Sequence, residues 1–388
     1  MHQRPSSFPL PFTSQVRHRA RPSLAGAAVA LAALCLATTL HATPFRVTNL
    51  VTDDPAFNPA PLTDPHLVNA WGVSHSPTSP LWVSDNGTGV STLYRIDPAT
   101  NAVTIVPLVV SIPGEGSVTG QAFNTGAGSG AFNGDLFTFV SEDGTISGWR
   151  GALGTNAETL QLGSPENAYK GSALATIGSH AYLYAANFAT GSVDVLPGDP
   201  GAPGLTGNFT DPGLPSGYAP FNVANVDGQL YVTYALVGPT GDDVAGLGHG
   251  YVDVFDYQGD FVRRLASQGE LDSPWGLAIA PPSFGALADS LLVGNFGNGA
   301  IHAFDAMTGT PLGALRGSNG MPLLIDGLWG LIPGNGAGAG NAGRIYFTAG
   351  PQDESHGVLG VIAAVPEPAS LALTSLALAV LGFVRRRH

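Results

Sequence analysis

The chain has 388 residues, 53 of them Gly and 31 Pro, with 44% hydrophobic and only 11% charged residues. Residues 43–365 carry 8 basic against 27 acidic residues, an imbalance that repels phosphate backbones and excludes nucleic acid as a partner. The single cysteine, Cys35, lies in an amino-terminal apolar run. The chain beyond that run therefore has no disulfide, thiolate metal site or cysteine nucleophile.

In chain order, the first element is a leader. Arg4, Arg17, Arg19 and Arg21 precede an apolar run from Leu24 to Leu40, and Ala42 offers a small residue for cleavage. This order predicts a secretory signal peptide over residues 1–42, handled by the Sec export machinery. Leu40 is a poor match at the −3 position, and an uncleaved anchor is the alternative.

Residues 43–365 are organised by a repeat. The unit "SPWGLAIAPPSFGALADSLLVGNFGNGAIHAFDAMTG" reads as an apolar strand, a Pro/Gly loop, a second strand, a tight turn and a third strand. The stretch "NAWGVSHSPTSPLWVSDNGTGVSTLYRIDPATN" has the same order. Looser copies start near Phe123, Lys170, Phe221 and Trp329, which with Trp71 and Trp275 gives spacings of 52, 47, 51, 54 and 54. Six near-equal periods of three or four short strands predict an all-β fold, a six-bladed β-propeller with repeats resembling the NHL and YVTN types. The strand "FRVTNLV" (Phe45 to Val51) precedes the first repeat, and the last repeat lacks a fourth strand. The two are expected to pair and close the ring, removing an open edge.

Several residues stand out within the repeats. Asn86, Asp143, Asn187 and Asn295 align at the end of the second strand, either as a polar ring around the channel or as hairpin-shaping residues. Trp71, Trp275 and Trp329 each stand in a Trp-Gly pair, suited to packing between blades or to an aromatic mouth. Three segments carry close-set carboxylates and imidazoles: Asp64 and His66; Asp242 and Asp243, with His249, in a Gly-rich insertion; and Glu354 and His356, with Asp353. Propeller loops converge on one mouth, so Asp64, His66, Asp242, Asp243, Glu354 and His356 form a candidate ligand or metal site. The cofactor suited to such oxygen ligands is a divalent cation, Ca²⁺ first, although the spacing matches no EF-hand loop. The alternative is a set of solvated acidic loops.

Recognised catalytic patterns are missing. "SEDGTISGW" resembles a sialidase Asp-box only superficially, because Gly144 follows Asp143 directly. There is no G-x-S-x-G, phosphate loop or H-E-x-x-H, and the single lysine, Lys170, is weak ground for Schiff-base chemistry.

The carboxy terminus, residues 366–388, joins Pro366, Glu367 and Pro368 to an apolar run from Ala369 to Val384 and the basic stop Arg385, Arg386 and Arg387. As a helix, that run reaches roughly 24 Å, short of a hydrocarbon core near 30 Å. An ordinary membrane anchor is one reading. The ensemble "VPEP", short span and arginine cluster resembles the PEP-CTERM sorting signal of Gram-negative, exopolysaccharide-producing bacteria. That resemblance implies recognition of Pro366, Glu367 and Pro368 by an exosortase. The stretches "NLVTDDPAFNPAPLTDPHLVNAWGV", "DDVAGLGHGYVDVFD" and "LLVGNFGNGAIHAFD" resemble secreted propeller-like proteins that carry this tail and have no assigned activity. The expectation is an exported binding or structural module, transiently held in the membrane and then associated with exopolysaccharide or biofilm at the cell surface. The alternative is a metal-dependent lactonase or hydrolase on the same fold.

Overall fold

The structure, a computed structural model, describes residues 43–365. The leader and the sorting segment, with Pro366, Glu367, Pro368 and Arg385 to Arg387, lie outside the described residues. Among the described residues no helix is long and apolar enough to cross a membrane.

Strands β1 (Phe45–Thr52) and β2 (Leu62–Thr63) precede the first blade, which is β3 (Ala70–Ser74), β4 (Leu81–Asp85), β5 (Val90–Ile96) and β6 (Val103–Ser111). The second blade is β7 (Val118–Phe123), β8 (Phe137–Ser141), β9 (Ile146–Trp149) and β10 (Glu158–Gln161). The third is β11 (Tyr169–Ile177), β12 (His180–Asn187) and β13 (Ser192–Pro197). The fourth is β14 (Tyr218–Val226), β15 (Gln229–Leu236), β16 (Gly250–Phe255) and β17 (Phe261–Ser267). The fifth is β18 (Pro274–Ile279), β19 (Leu291–Asn295), β20 (Ile301–Phe304) and β21 (Pro311–Ala314). The sixth is β22 (Leu328–Pro333), β23 (Ile345–Ala349) and β24 (Val358–Ala364), completed by β1 and β2. The chain is a six-bladed β-propeller.

Ring closure follows from the register. β1 runs antiparallel to β24, from Phe45 opposite Ala364 to Thr52 opposite Val358. The sixth blade thus holds the chain's first and last described strands together, and no open edge is left there. The third blade departs from the repeat. The segment after β13, "GDPGAPGLTGNFTDPGLPSG", is too rich in Pro and Gly to add a fourth strand. Its Phe209 instead packs against Tyr184 and Phe255, at ring distances of 5.5 and 5.4 Å.

The first strands of the blades neighbour one another around a central channel. In every blade this strand is bulged at one place: between Ala70 and Val73, Val118 and Gln121, Tyr169 and Gly171, Pro220 and Asn222, Pro274 and Gly276, and Leu328 and Leu331. A bulge re-aims the residue it contains. The residues so placed are Trp71, Thr119, Lys170, Phe221, Trp275 and Trp329. The second repeat therefore begins at Thr119 rather than Phe123, a correction of four residues that the apolar pattern of "QAF" concealed.

Close packing of the inner strands explains the Trp-Gly pairs. A Cβ on Gly72 would stand 2.3 Å from the Thr119 carbonyl oxygen, and one on Gly276 would stand 2.6 Å from that of Trp329. The backbones touch, so only glycine fits.

Candidate functional site at the upper mouth of the channel

The upper end is where each first strand starts and each second strand stops. The loop from β1 to β3, the insertion between β15 and β16 and the loop from β23 to β24 all open there. All six sequence-predicted residues therefore share one face, but only two of them reach the mouth.

The floor is aromatic. The Trp71 and Trp329 rings stack at 3.7 Å, and Phe296 covers the other face of Trp329 at 3.8 Å. Trp275 meets Trp329 edge-on at 5.9 Å, and Phe221 lies 5.8 Å from it. The indoles of Trp71, Trp275 and Trp329 are buried. They plug the channel by packing and do not form an open platform.

The polar layer above comes from every blade. Lys170, buried at its bulge, holds its ammonium 5.5 Å from the Trp71 ring centre and 6.0 Å from that of Phe188. A cation over an aromatic face is attracted by the ring quadrupole. Lys170 Nζ also donates to Glu142 Oε1. Asn86 Nδ2 donates to the other Glu142 oxygen at 3.2 Å, and Asn69 Nδ2 donates to Asn86 Oδ1 at 3.1 Å and to Glu354 Oε2 at 2.8 Å. Trp329 Nε1 donates to Asn69 Oδ1 at 3.0 Å, tying this network to the floor. Trp71 Nε1, buried at the same level, has no hydrogen-bond partner.

Glu354 is presented by unusual backbone. Gln352, Asp353 and Glu354 have φ of 57°, 51° and 64°, three successive non-glycine residues in the left-handed region. Each costs on the order of 1 kcal/mol or more and persists only where surrounding structure enforces it. Here Glu354 N–H donates to the Gly350 carbonyl at 3.1 Å, and the side chain is held by Asn69. Burial, with the Glu142 and Asp243 charges, keeps the Glu354 carboxyl above its usual range. Lys170 and the Asn69 hydrogen bond offset part of that shift.

Asp243 arrives on the fourth-blade insertion. The insertion is fixed by a bridge between Val237 and Asp243 and by Gly246 N–H donating to Asp272 Oδ1 at 2.6 Å. Burial raises the Asp243 carboxyl as well, opposed by Ser273 of the fifth blade and by Lys170.

The remaining predicted residues have other partners. Asp242 is exposed and accepts from Thr240 Oγ1. His66 Nδ1 and Asp64 Oδ1 are 2.9 Å apart, and Asp64 also accepts from the Tyr94 hydroxyl at 3.1 Å. His356 pairs with Asp53 at 2.8 Å and stacks on Phe57. These pairs belong to the rim, so the six residues do not form one composite site. Among the described residues no three His, Cys, Asp or Glu side chains group closely enough to hold a metal ion.

The expected ring at the end of the second strands is shifted. Asp85, not Asn86, pairs with the residue before the bulge as Asn187 and Asn295 do, and Ser141 rather than Asp143 is their counterpart. Asn187 bonds Asn167 and the Ala168 N–H, Asn295 donates to the Glu270 carbonyl and to Asn298, and Asp143 accepts from the Thr145 and Glu115 N–H groups, so these three hold loops. The next residue along faces the mouth, and this step contributes Asn86, Glu142, Phe188 and Phe296. Glu142, Lys170 and Asn69 escaped the sequence reading. Lys170 alone carried a clue: it is the chain's only lysine, and it precedes glycine where other repeats read Trp-Gly.

A cavity of about 400 Å³ lies at the lower end of the same channel. Val73, Phe123, Leu277, Ile279 and Leu331 line much of it. Its amides are already engaged: Gln121 Nε2 donates to the Gly72 and Trp82 carbonyls, and Asn222 Nδ2 to that of Trp275.

No family model matches the chain. It is 32% identical over 322 residues to "Uncharacterized protein R648" of Acanthamoeba polyphaga mimivirus, covering 79% of this chain and 77% of that protein. It is 31% identical over 312 residues to "Uncharacterized protein L690" of the same virus, covering 76% and 80%. Among solved structures, the soluble aldose sugar dehydrogenase of Escherichia coli in its apo-form superposes with a TM-score of 0.50 at 12% identity, over 83% of this chain and 100% of that one. That likeness is one of fold. The chain belongs to the family of the two mimivirus proteins.

Proposed function

We propose that the chain is an exported binding module that takes a hydroxyl-rich ligand, such as a segment of exopolysaccharide, at the upper mouth of its propeller. The observation that carries this reading is the meeting of the only lysine with three carboxyl groups and two carboxamides at one end of the channel. Vicinal hydroxyls need donors and acceptors side by side, and this layer alternates them: Lys170 and the two amide NH₂ groups donate, while Glu142, Glu354 and Asp243 accept. The aromatic floor excludes water beneath them, which strengthens each polar contact.

The attachment of the terminal segments supports the same reading. Phe45 and Ala364 pair at the lower end of the sixth blade, and Val365 N–H donates to the Pro44 carbonyl at 2.8 Å. Thr43 and Val365, the first and last described residues, thus lie at the end of the propeller opposite the mouth. In this reading an exosortase recognises the tail through Pro366, Glu367 and Pro368.

The test is a glycan array probed with the secreted protein and with Lys170→Met. The expected result is binding to a polysaccharide that falls at least tenfold in the variant, with an unchanged fold by circular dichroism. Binding of equal strength in Lys170→Met and Glu142→Gln overturns the assignment of the mouth.

One observation favours a second reading, a hydrolase: Glu354 and Asp243 both hold their protons above the usual carboxylate range, as a general acid requires. Release of reducing ends from the bound polysaccharide, abolished by Glu354→Gln, would establish it.

A further inference from the structure

Resting on that reading of the mouth, we infer that its ligand carries a primary ammonium group beside its hydroxyls, as a deacetylated amino sugar does. Charge pairing within the mouth is incomplete. Lys170 is matched by Glu142, the carboxylate to which it donates. Among the described residues Glu354 and Asp243 form no ion pair of their own and share only the more distant Lys170 charge: Glu354 accepts from the neutral Asn69, and Asp243 faces the neutral Ser273. The Asp243 charge is among those that raise the Glu354 carboxyl, so the two groups stand near one another.

Two half-buried carboxyls near one another favour whatever brings positive charge between them. A single metal ion needs three or more ligands converging at one point, and the described residues offer no such group. An ammonium on an extended ligand needs only hydrogen-bond acceptors on one side of it, with three donors of its own to share.

A second feature points independently to a ligand. Trp71 Nε1 is a donor in a side chain that is 2% exposed, and it has no acceptor. Its neighbour Trp329, stacked on it, has its own donor satisfied by Asn69. A buried donor left unpaired is destabilising, and an acceptor oxygen from a ligand recovers that loss. A sugar bearing an amine beside a hydroxyl or ring oxygen supplies both groups at neighbouring positions: the amine to Glu354 and Asp243, the oxygen to Trp71.

The experiment is calorimetric titration of the secreted protein at pH 7 with three tetrasaccharides of one linkage: glucosamine, N-acetylglucosamine and glucose. The glucosamine tetramer is expected to bind at least tenfold more tightly than either neutral oligomer. Glu354→Gln and Asp243→Asn should each remove most of that preference, while Trp71→Phe should weaken all bound oligomers alike. Melting curves check that each variant is folded. Equal binding of the three oligomers overturns the ammonium inference and leaves the hydroxyl-binding reading standing. Absence of binding by all three, together with a blank glycan array, overturns both.

Discussion

The upper and lower ends of the channel are lined by the same six strands, yet their unspent chemistry differs: a charged network at one, an unpaired Ser172 hydroxyl at the other. Below the plug, Gln121 and Asn222 give their amides to neighbouring blade backbones, and the remaining lining is largely apolar. Above it, a lysine, three carboxyls and two amides satisfy one another only in part, and a buried indole donor stays free. The lower end holds a cavity of about 400 Å³; the upper end has more to offer a ligand. Volume alone is therefore a poor guide to the site, because specificity comes from polar groups that still lack partners.

Four substitutions bear on that contrast. The largest effect is expected where both ends depend on the same contact. Gly276→Ala drives a Cβ into the Trp329 carbonyl and should cost roughly 3 kcal/mol by denaturant titration, loosening both ends together. Next, Leu331→Ala in the lower lining should cost about 2–3 kcal/mol through the cavity it leaves, yet change ligand affinity less than twofold. A large loss of binding in that variant would break the division between the ends. Lys170→Met should do the reverse, reducing affinity at least tenfold for a stability loss nearer 1–2 kcal/mol.

The smallest effect is a pH dependence. Asp85 is wholly buried at the upper end of β4, and burial holds its carboxyl well above the usual range. The folded state binds this proton more tightly than the unfolded state. Its contribution is therefore fully present below the ordinary carboxylate range, near 4, and is lost as pH rises toward the raised value. Asp85→Asn should match the parent at pH 4 and exceed it by about 1 kcal/mol at pH 8. Parallel melting curves for the two proteins across that interval would reject the claim.

Much of the architecture could be read from the chain. Short apolar runs, Gly/Pro turns and a period near fifty residues follow from what a propeller blade must bury, so the six blades and the closing strand from Phe45 were accessible. Alignment at single-residue precision was not. Thr119 stands where four other blades place an aromatic, and a bulge hides the register from any alternation count. The same displacement hid Glu142 behind Asp143 and made Asn86 look like the partner of Asn187.

The site illustrates the same limit. Asp243 and Glu354 drew notice because carboxylates on loops are conspicuous, while Asp64, His66 and His356 drew equal notice and proved to be satisfied rim pairs. Lys170 drew little, since "YKGS" has no motif around it. What the sequence determined by itself was composition and period: an acidic repeat region, free of cysteine from residue 43 on, with enough short strands to close a ring. What only the tertiary structure decided was which polar groups remain without partners. A hydrogen bond is settled by ångströms between residues such as Asn69 and Glu354, 285 positions apart, and no local pattern encodes that distance.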